Sequence, residues 1–266
     1  MSDWQRLTRE FDLWHESGKT ATLWWRDDDA VAPTPQLERL LRHTGLVPVA
    51  LAVVPKFATA ELAERVRTLS SVVVLQHGWA HANHATMGLS EYPSSRSKEE
   101  VEREIGAGRH LLNELFGRQA IAVFVPPFHG FDDRFLPLLP RNRIPFISRK
   151  GPRSSRFAAK SLRQVNTHVS PIRWTAPSTF GDDAQYLSEI VDHLSGRRTG
   201  RYDPSEPTGL LTHHLWQHEA ADKFVSRLIS VTSQHPAVKW LHGSEVFFSD
   251  QGSDAYRGHS ASNPAV

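Results

Sequence analysis

Ala21-Thr22-Leu23-Trp24-Trp25-Arg26-Asp27-Asp28-Asp29-Ala30 and Val72-Val73-Val74-Leu75-Gln76-His77-Gly78-Trp79-Ala80-His81 are two apolar runs, and each ends abruptly in groups able to bind a cation or move a proton. The first reads as a short strand over residues 23–26 closed by three carboxylates. The second reads as a strand over residues 72–76, apolar throughout, as a strand buried on both faces should be. One carboxylate and two imidazoles make a three-ligand set with a position left for water, which a hydrolytic metal site needs.

The same rhythm continues outward from these two runs. Residues 48–54 and 120–125 are further apolar strands, the latter stopped by Pro126-Pro127. Residues 144–148, 210–214 and 239–241 are shorter candidates. Helices are expected over 36–43 after Pro35, over 59–69 with Thr59 as N-cap, and from Ser97-Lys98-Glu99-Glu100, a capping-box pattern, to about 116. Residues 132–139, 183–194 and 219–233 also read as helical. Residues 3–16 form a helix with Trp4, Leu7, Phe11 and Trp14 on one stripe. Residues 85–97 are loop, and the basic stretch 149–180 carries no clear pattern.

Strands alternating with helices imply a mainly parallel sheet, open or closed into a barrel, with function at the C-terminal ends of the strands. Asp27 to Asp29, His77, Pro126-Pro127-Phe128 and His213-His214 all follow apolar runs and fall at that location. The expected organisation is an N-terminal helix over 1–19, one α/β domain over 20–248 and a disordered Ser/Gly/Asp-rich tail over 249–266.

Composition narrows the chemistry. The 266 residues contain no cysteine, which excludes thiolate metal sites and leaves His, Asp and Glu as ligands. The net charge of +2 comes from 31 basic and 29 acidic residues without a basic run, so nucleic acid is not an expected partner. No stretch approaches the roughly 18–20 apolar residues of a membrane span, and the N-terminal segment lacks an apolar core like that of a signal peptide. A cytoplasmic protein with a small-molecule or glycan substrate is expected.

Each motif has a structural alternative. Three adjacent aspartates can be a turn cluster, but at a buried strand end they repel one another unless a cation or protons neutralise them, and Arg26 can pair with one. His77 and His81 lie four apart, a spacing that on a helical turn brings both rings to one ion. His84 reads as a surface or supporting residue. Pro126-Pro127-Phe128 is either a pocket wall or a simple loop. Of His213 and His214, strand alternation lets only one face the site, where it can act as a general acid. Asp182-Asp183 reads as a helix cap.

In their order, Trp25-Arg26-Asp27-Asp28-Asp29-Ala30, His77-Gly78-Trp79-Ala80-His81, Phe124-Val125-Pro126-Pro127-Phe128 and Leu210-Leu211-Thr212-His213-His214 resemble the motifs of the polysaccharide deacetylases, over roughly residues 20–220. The resemblance implies a deformed (β/α)7 barrel and a divalent metal, usually zinc, held by one Asp and two His. A second Asp acts as base and a late His as acid toward an N-acetylated sugar. Carried over, His77 and His81 match the metal histidines. Setting Ala30 against the usual small residue makes Asp28 the base and Asp29 the ligand; a shift by one gives Asp27 and Asp28. Either His213 or His214 is the acid, and Pro127 and Phe128 line the substrate site. Two positions depart from the pattern: Val125 stands where the family has the Arg that orients the catalytic Asp, and Gly78 where it has Ser or Thr. Arg26 or Arg149 can replace that Arg. The departures leave room for another linear or cyclic amide as substrate, or for a catalytically silent carbohydrate- or partner-binding protein.

Overall fold

The computed structural model describes residues 1–175 and 178–249. In chain order the elements are α1 (Asp3–Glu16), β1 (Ala21–Ala30), α2 (Pro35–Leu41), β2 (Val49–Val53), α3 (Ala60–Arg67), β3 (Val72–His77), α4 (Lys98–Phe116), β4 (Ala120–Val125), α5 (Leu138–Arg141), β5 (Phe146–Ile147), β6 (Phe157–Ala159), β7 (Leu162–Gln164), α6 (Asp183–Thr199), β8 (Thr208–Thr212), α7 (Glu219–Ser233), β9 (Val238–Trp240) and α8 (Gly243–Phe248). Residues 250–266, nearly all of the expected tail, lie outside the described residues.

The sheet runs β6-β7-β5-β4-β3-β2-β1-β8, with β9 also pairing β1. Every pairing is parallel except β6 with β7. The ladder does not close as one continuous ring. Isolated parallel bridges, Lys150 with Thr167 and Val169 with Leu210, span the gap between the β5 side and β8. This is a deformed α/β barrel, as expected.

Alternation along the strands divides the core. Trp24, Ala50, Ala52, Val73, Leu75, Val123, Val125 and Phe146 point into the barrel, where Val246 and Phe247 of α8 join them. Leu23, Trp25, Val49, Leu51, Val53, Val72 and Val74 point outward under the helices. A third cluster, around Phe124, Phe131, Phe135 and Ile105, packs beneath α4. α1 buries Leu7, Phe11 and Trp14, each stabilising by about 1.5–3 kcal/mol. It is tied to α6 by the Arg198–Glu10 ion pair and by Trp4 Nε1 donating to Asp183.

Several boundaries differ from the sequence reading. β1 runs on through the aspartates to Ala30, because β8 and β2 pair with it up to Asp27 and Ala30 respectively. The patternless stretch 149–180 contains the short β6–β7 hairpin. α8 lies outside every helix expected from the sequence, with His242 as N-cap and Glu245 completing its capping box.

Candidate active site

Period-two alternation sends Arg26 and Asp28 into the barrel and Asp27 outward. The next residue breaks that period. Asp29 has φ 73°, and the β1–β2 register shifts between Asp27 and Ala30. Asp28 and Asp29 therefore both reach the same cavity although they are adjacent in sequence.

His77 closes β3, and His81 follows it through a turn rather than a helix: Gly78 has φ 57° and His81 φ 52°. The helical reading of their spacing is thus corrected, although the rings still converge. Their centroids lie 5.1 Å apart, and each Nε2 lies 3.2 Å from Asp29 Oδ1. His77 Nδ1 donates to the Val125 carbonyl at 3.0 Å. A carbonyl only accepts, so the neutral ring keeps its lone pair on Nε2, facing the carboxylate. Two lone-pair atoms at that distance need a proton or a cation between them. The donor set of two imidazoles and one carboxylate, buried to half-buried, fits a divalent ion such as zinc.

Asp28 pairs with Arg26 through both oxygens, Nε to Oδ1 at 2.8 Å and Nη2 to Oδ2 at 3.0 Å. Arg26 Nη1 also donates to the Ser148 hydroxyl and carbonyl at 2.7 and 3.1 Å. Arg149 instead pairs with Asp133 at the surface. Burial would raise the Asp28 carboxyl, but the Arg26 guanidinium, helped by His77 and His213, holds it below the usual range. Burial likewise opposes ionisation of Asp29, and hydrogen bonds from His77 and His81 outweigh it, holding this carboxyl far down. For His77, burial is outweighed by the carboxylates of Asp28 and Asp29, and its pKa is raised.

The two late histidines separate. His213 lines the cavity with Asp28 and Asp29; its Nδ1 is buried without a hydrogen-bond partner, and the Trp174 ring stands edge-on to it at 4.8 Å. Burial pushes its pKa down, against the raising effect of the three aspartates. His214 turns to the opposite side, where Nδ1 meets Asp27 Oδ1 at 2.5 Å and the backbone N–H donates to Oδ2 at 3.0 Å. Thr212 Oγ1 donates to the same carboxylate at 2.6 Å and accepts from Trp25 Nε1 at 2.8 Å. Asp27 is thereby fully engaged outside the cavity.

The cavity, about 400 Å³, is completed by Leu89, Phe128, His129, Trp174 and Trp216. Phe128 and His129 both take positive φ, 55° and 59°. Phe128 packs on His81 at 4.3 Å. His129 is driven to a pKa of about 4 by burial and the nearby Arg26 charge. Pro127 is buried and lies under Gly78 rather than in the cavity wall. His84 is exposed, and Asp182 caps α6. Leu89, Trp174 and Trp216 sit in loops without periodicity, so no sequence signal marked them as lining residues.

A second group of possible ligands, His168, His193 and Glu206, lies near the start of β8. His168 Nδ1 accepts the Gly209 N–H at 2.8 Å, so the neutral ring carries its hydrogen on Nε2, which faces Glu206 at 3.4 Å. The two rings stack at 3.5 Å and 22°, so their in-plane lone pairs do not converge. His193 Nδ1 meets Thr208 Oγ1 at 2.9 Å, and the Glu206 carboxylate accepts the Arg153 and Asn166 backbone N–H groups, each at 2.9 Å, so this cluster is tied into the chain around it.

No family model matches the sequence. No curated protein matches it either. Solved structures do match in shape. A Mycobacterium smegmatis protein assigned as a polysaccharide deacetylase aligns at a TM-score of 0.63 and 13% identity, covering 94% of this chain and 96% of that one. A family 4 acetyl xylan esterase from Clostridium thermocellum, solved with a cobalt ion, aligns at 0.54 and 15% identity, covering 86% and 90%. A peptidoglycan N-acetylglucosamine deacetylase aligns at 0.51 and 14%, covering 89% and 96%. At such identities the likeness is one of architecture, and the fold of this chain is that of the polysaccharide deacetylases.

Proposed function

We propose that the protein is a metal-dependent hydrolase that removes acetyl groups from an N-acetylated, sugar-like substrate. The observation that carries this reading is the convergence of both histidine Nε2 atoms on Asp29 Oδ1 at 3.2 Å, with Asp28 and His213 lining the same cavity. Asp29, His77 and His81 would hold the ion. A divalent ion there, such as zinc, would supply Lewis acidity and lower the pKa of water.

The chain's own groups supply the rest. Asp28, ionised and held in place by Arg26, takes the proton of the attacking water. His213 donates a proton to the departing nitrogen. Its lowered pKa makes it a ready donor once charged. Phe128, Trp174 and Trp216 bring apolar surface to the cavity, which excludes bulk water and strengthens the electrostatics inside. His214, paired to Asp27, holds β1 and the end of β8 together and takes no part in proton transfer.

Arg26 answers the loss of the usual motif Arg at Val125, the feature that favoured a silent binding protein. The apolar lining by Leu89, Phe128, Trp174 and Trp216 favours the second reading, hydrolysis of another linear or cyclic amide on the same residues. Metal analysis of untagged protein beside a His77→Ala/His81→Ala variant, followed by a panel of N-acetyl sugars and other amides, tests both. About one ion per parent chain, none in the variant and turnover of acetamido sugars support the first reading. Turnover confined to other amides supports the second, and a parent that binds no ion after reconstitution removes both.

A further inference from the structure

Glu91 is a fully buried acid in the loop between β3 and α4, and the proton transfers proposed above do not use it. Its carboxylate accepts two consecutive backbone N–H groups, Trp79 to Oε2 at 3.2 Å and Ala80 to Oε1 at 2.7 Å. Successive amides converging on one anion form a nest, a concavity that binds negative charge. Ala80 is the residue before His81, so the carboxylate holds the turn immediately ahead of that ring.

The same turn is held from the barrel side. Gly78 N–H donates to Val125 O at 3.1 Å, Gly78 O accepts from Gln76 Nε2 at 3.2 Å, and Trp79 O accepts from Lys56 N–H at 3.0 Å. The partly buried Trp79 and Ala80 amides would lose these acceptors if Glu91 were absent. Glu91 also fixes what can occupy position 78. A Cβ on Gly78 would lie 2.0 Å from Glu91 Oε2 and 2.5 Å from Pro127 Cγ, and the backbone there has φ 57°. Gly78 and Glu91 are thus two halves of one device, glycine leaving the space that the carboxylate fills.

The His81 ring meets Asp29 Oδ1 at 3.2 Å from a backbone at φ 52°, directly after a turn whose amides at positions 79 and 80 both end on Glu91. We propose that Glu91 is a positioning residue that sets the affinity of the His77–His81–Asp29 site for its cation by holding residues 78–81 in the non-helical turn. The inference rests on the metal-site reading above. Supporting residues of this kind change metal affinity by about 10- to 100-fold when altered.

The test is zinc titration of the chelator-stripped full chain against a chromophoric chelator, for the parent and for Glu91→Gln and Glu91→Ala, beside melting curves of the same zinc-free proteins. Glu91→Gln keeps the shape but replaces one acceptor oxygen with an amide nitrogen that opposes a backbone N–H. The expected result is a loss of zinc affinity of about 10-fold or more in Glu91→Gln, larger in Glu91→Ala, with cooperative zinc-free melting retained in Glu91→Gln. Affinity in Glu91→Gln within about threefold of the parent overturns the inference alone. So does loss of cooperative melting in zinc-free Glu91→Gln, which would make Glu91 a support of the fold rather than of the site. A parent that binds no zinc overturns the metal reading and this inference together.

Discussion

Arg26 and Asp28 form a two-pronged ion pair along one face of β1, and neither side chain is exposed beyond 1%. The pair is local in sequence, yet its anchor is distant: Ser148, just past β5, fixes the guanidinium from the other side. An ion pair buried this deeply contributes little net stability while intact, and breaking it is costly.

Replacing Arg26 by Met leaves Asp28 as an uncompensated buried carboxylate. The expected destabilisation is about 3–5 kcal/mol, measured by denaturant unfolding of the metal-free protein. Arg26→Lys also loses activity, because an ammonium cannot satisfy both carboxylate oxygens in the fixed fork. Activity in Arg26→Lys equal to the parent's would show that the orienting geometry is not required.

Asp28→Asn separates proton transfer from cation binding. Turnover on the best acetamide substrate is expected to fall about 10²- to 10⁴-fold, the range for loss of a general base, while zinc content stays at the parental level. Zinc lost together with activity would place Asp28 among the ligands and reopen the assignment of the aspartates.

His213 and His214 are adjacent but should fail differently. His213→Ala removes a cavity-lining ring whose Nδ1 has no partner, so kcat is expected to collapse with little change in stability. His214→Ala strips Asp27 of its closest partner and should cost about 3–5 kcal/mol of folding stability. Comparing kcat with unfolding free energy for the two variants decides it; the reverse pattern would exchange their roles.

The His214–Asp27 pair also carries a pH signature. Burial lowers the His214 pKa, the Asp27 carboxylate outweighs it, and the pKa in the folded protein is raised above the ordinary 6.5. The folded state therefore binds this proton more tightly than the unfolded chain. Its stabilisation is complete below about pH 6.5 and is lost as pH rises through the folded value. The stability difference between parent and His214→Gln should shrink from pH 6 towards alkaline pH, and a difference that grows instead would contradict the charged pair.

The sequence was readable where one physical rule governed a segment. The continuous Val72–Val74 run reads directly as a strand buried on both faces, and Thr59 caps α3 as its chemistry demands. The site was harder because its geometry breaks regular periods. Alternation places Arg26 and Asp28 correctly, but Asp29 joins them only through a positive φ beside a register shift. His77 and His81 have helical spacing and share a cavity through a turn that a distant carboxylate stabilises. The β6–β7 hairpin and α8 are too short for a pattern of their own, and their partners in the fold define them.

The position of β1 has a consequence for the order of assembly. This strand, the earliest of the described strands, pairs with β9 and then β2 along one edge and with β8 along the other, since Leu23 partners both Trp240 and Thr208, so its second edge stays open until β8 is made. The Asp27–His214 contact closes a loop of 187 positions, an entropic cost that local contacts cannot share. During synthesis the early strands can pair in sequence, but the pocket acquires His213 only when β8 docks. On the proposed reading, a ribosome-bound chain arrested before that point would hold Asp29, His77 and His81 without His213, so residues able to take a cation would come together before the set able to turn over substrate.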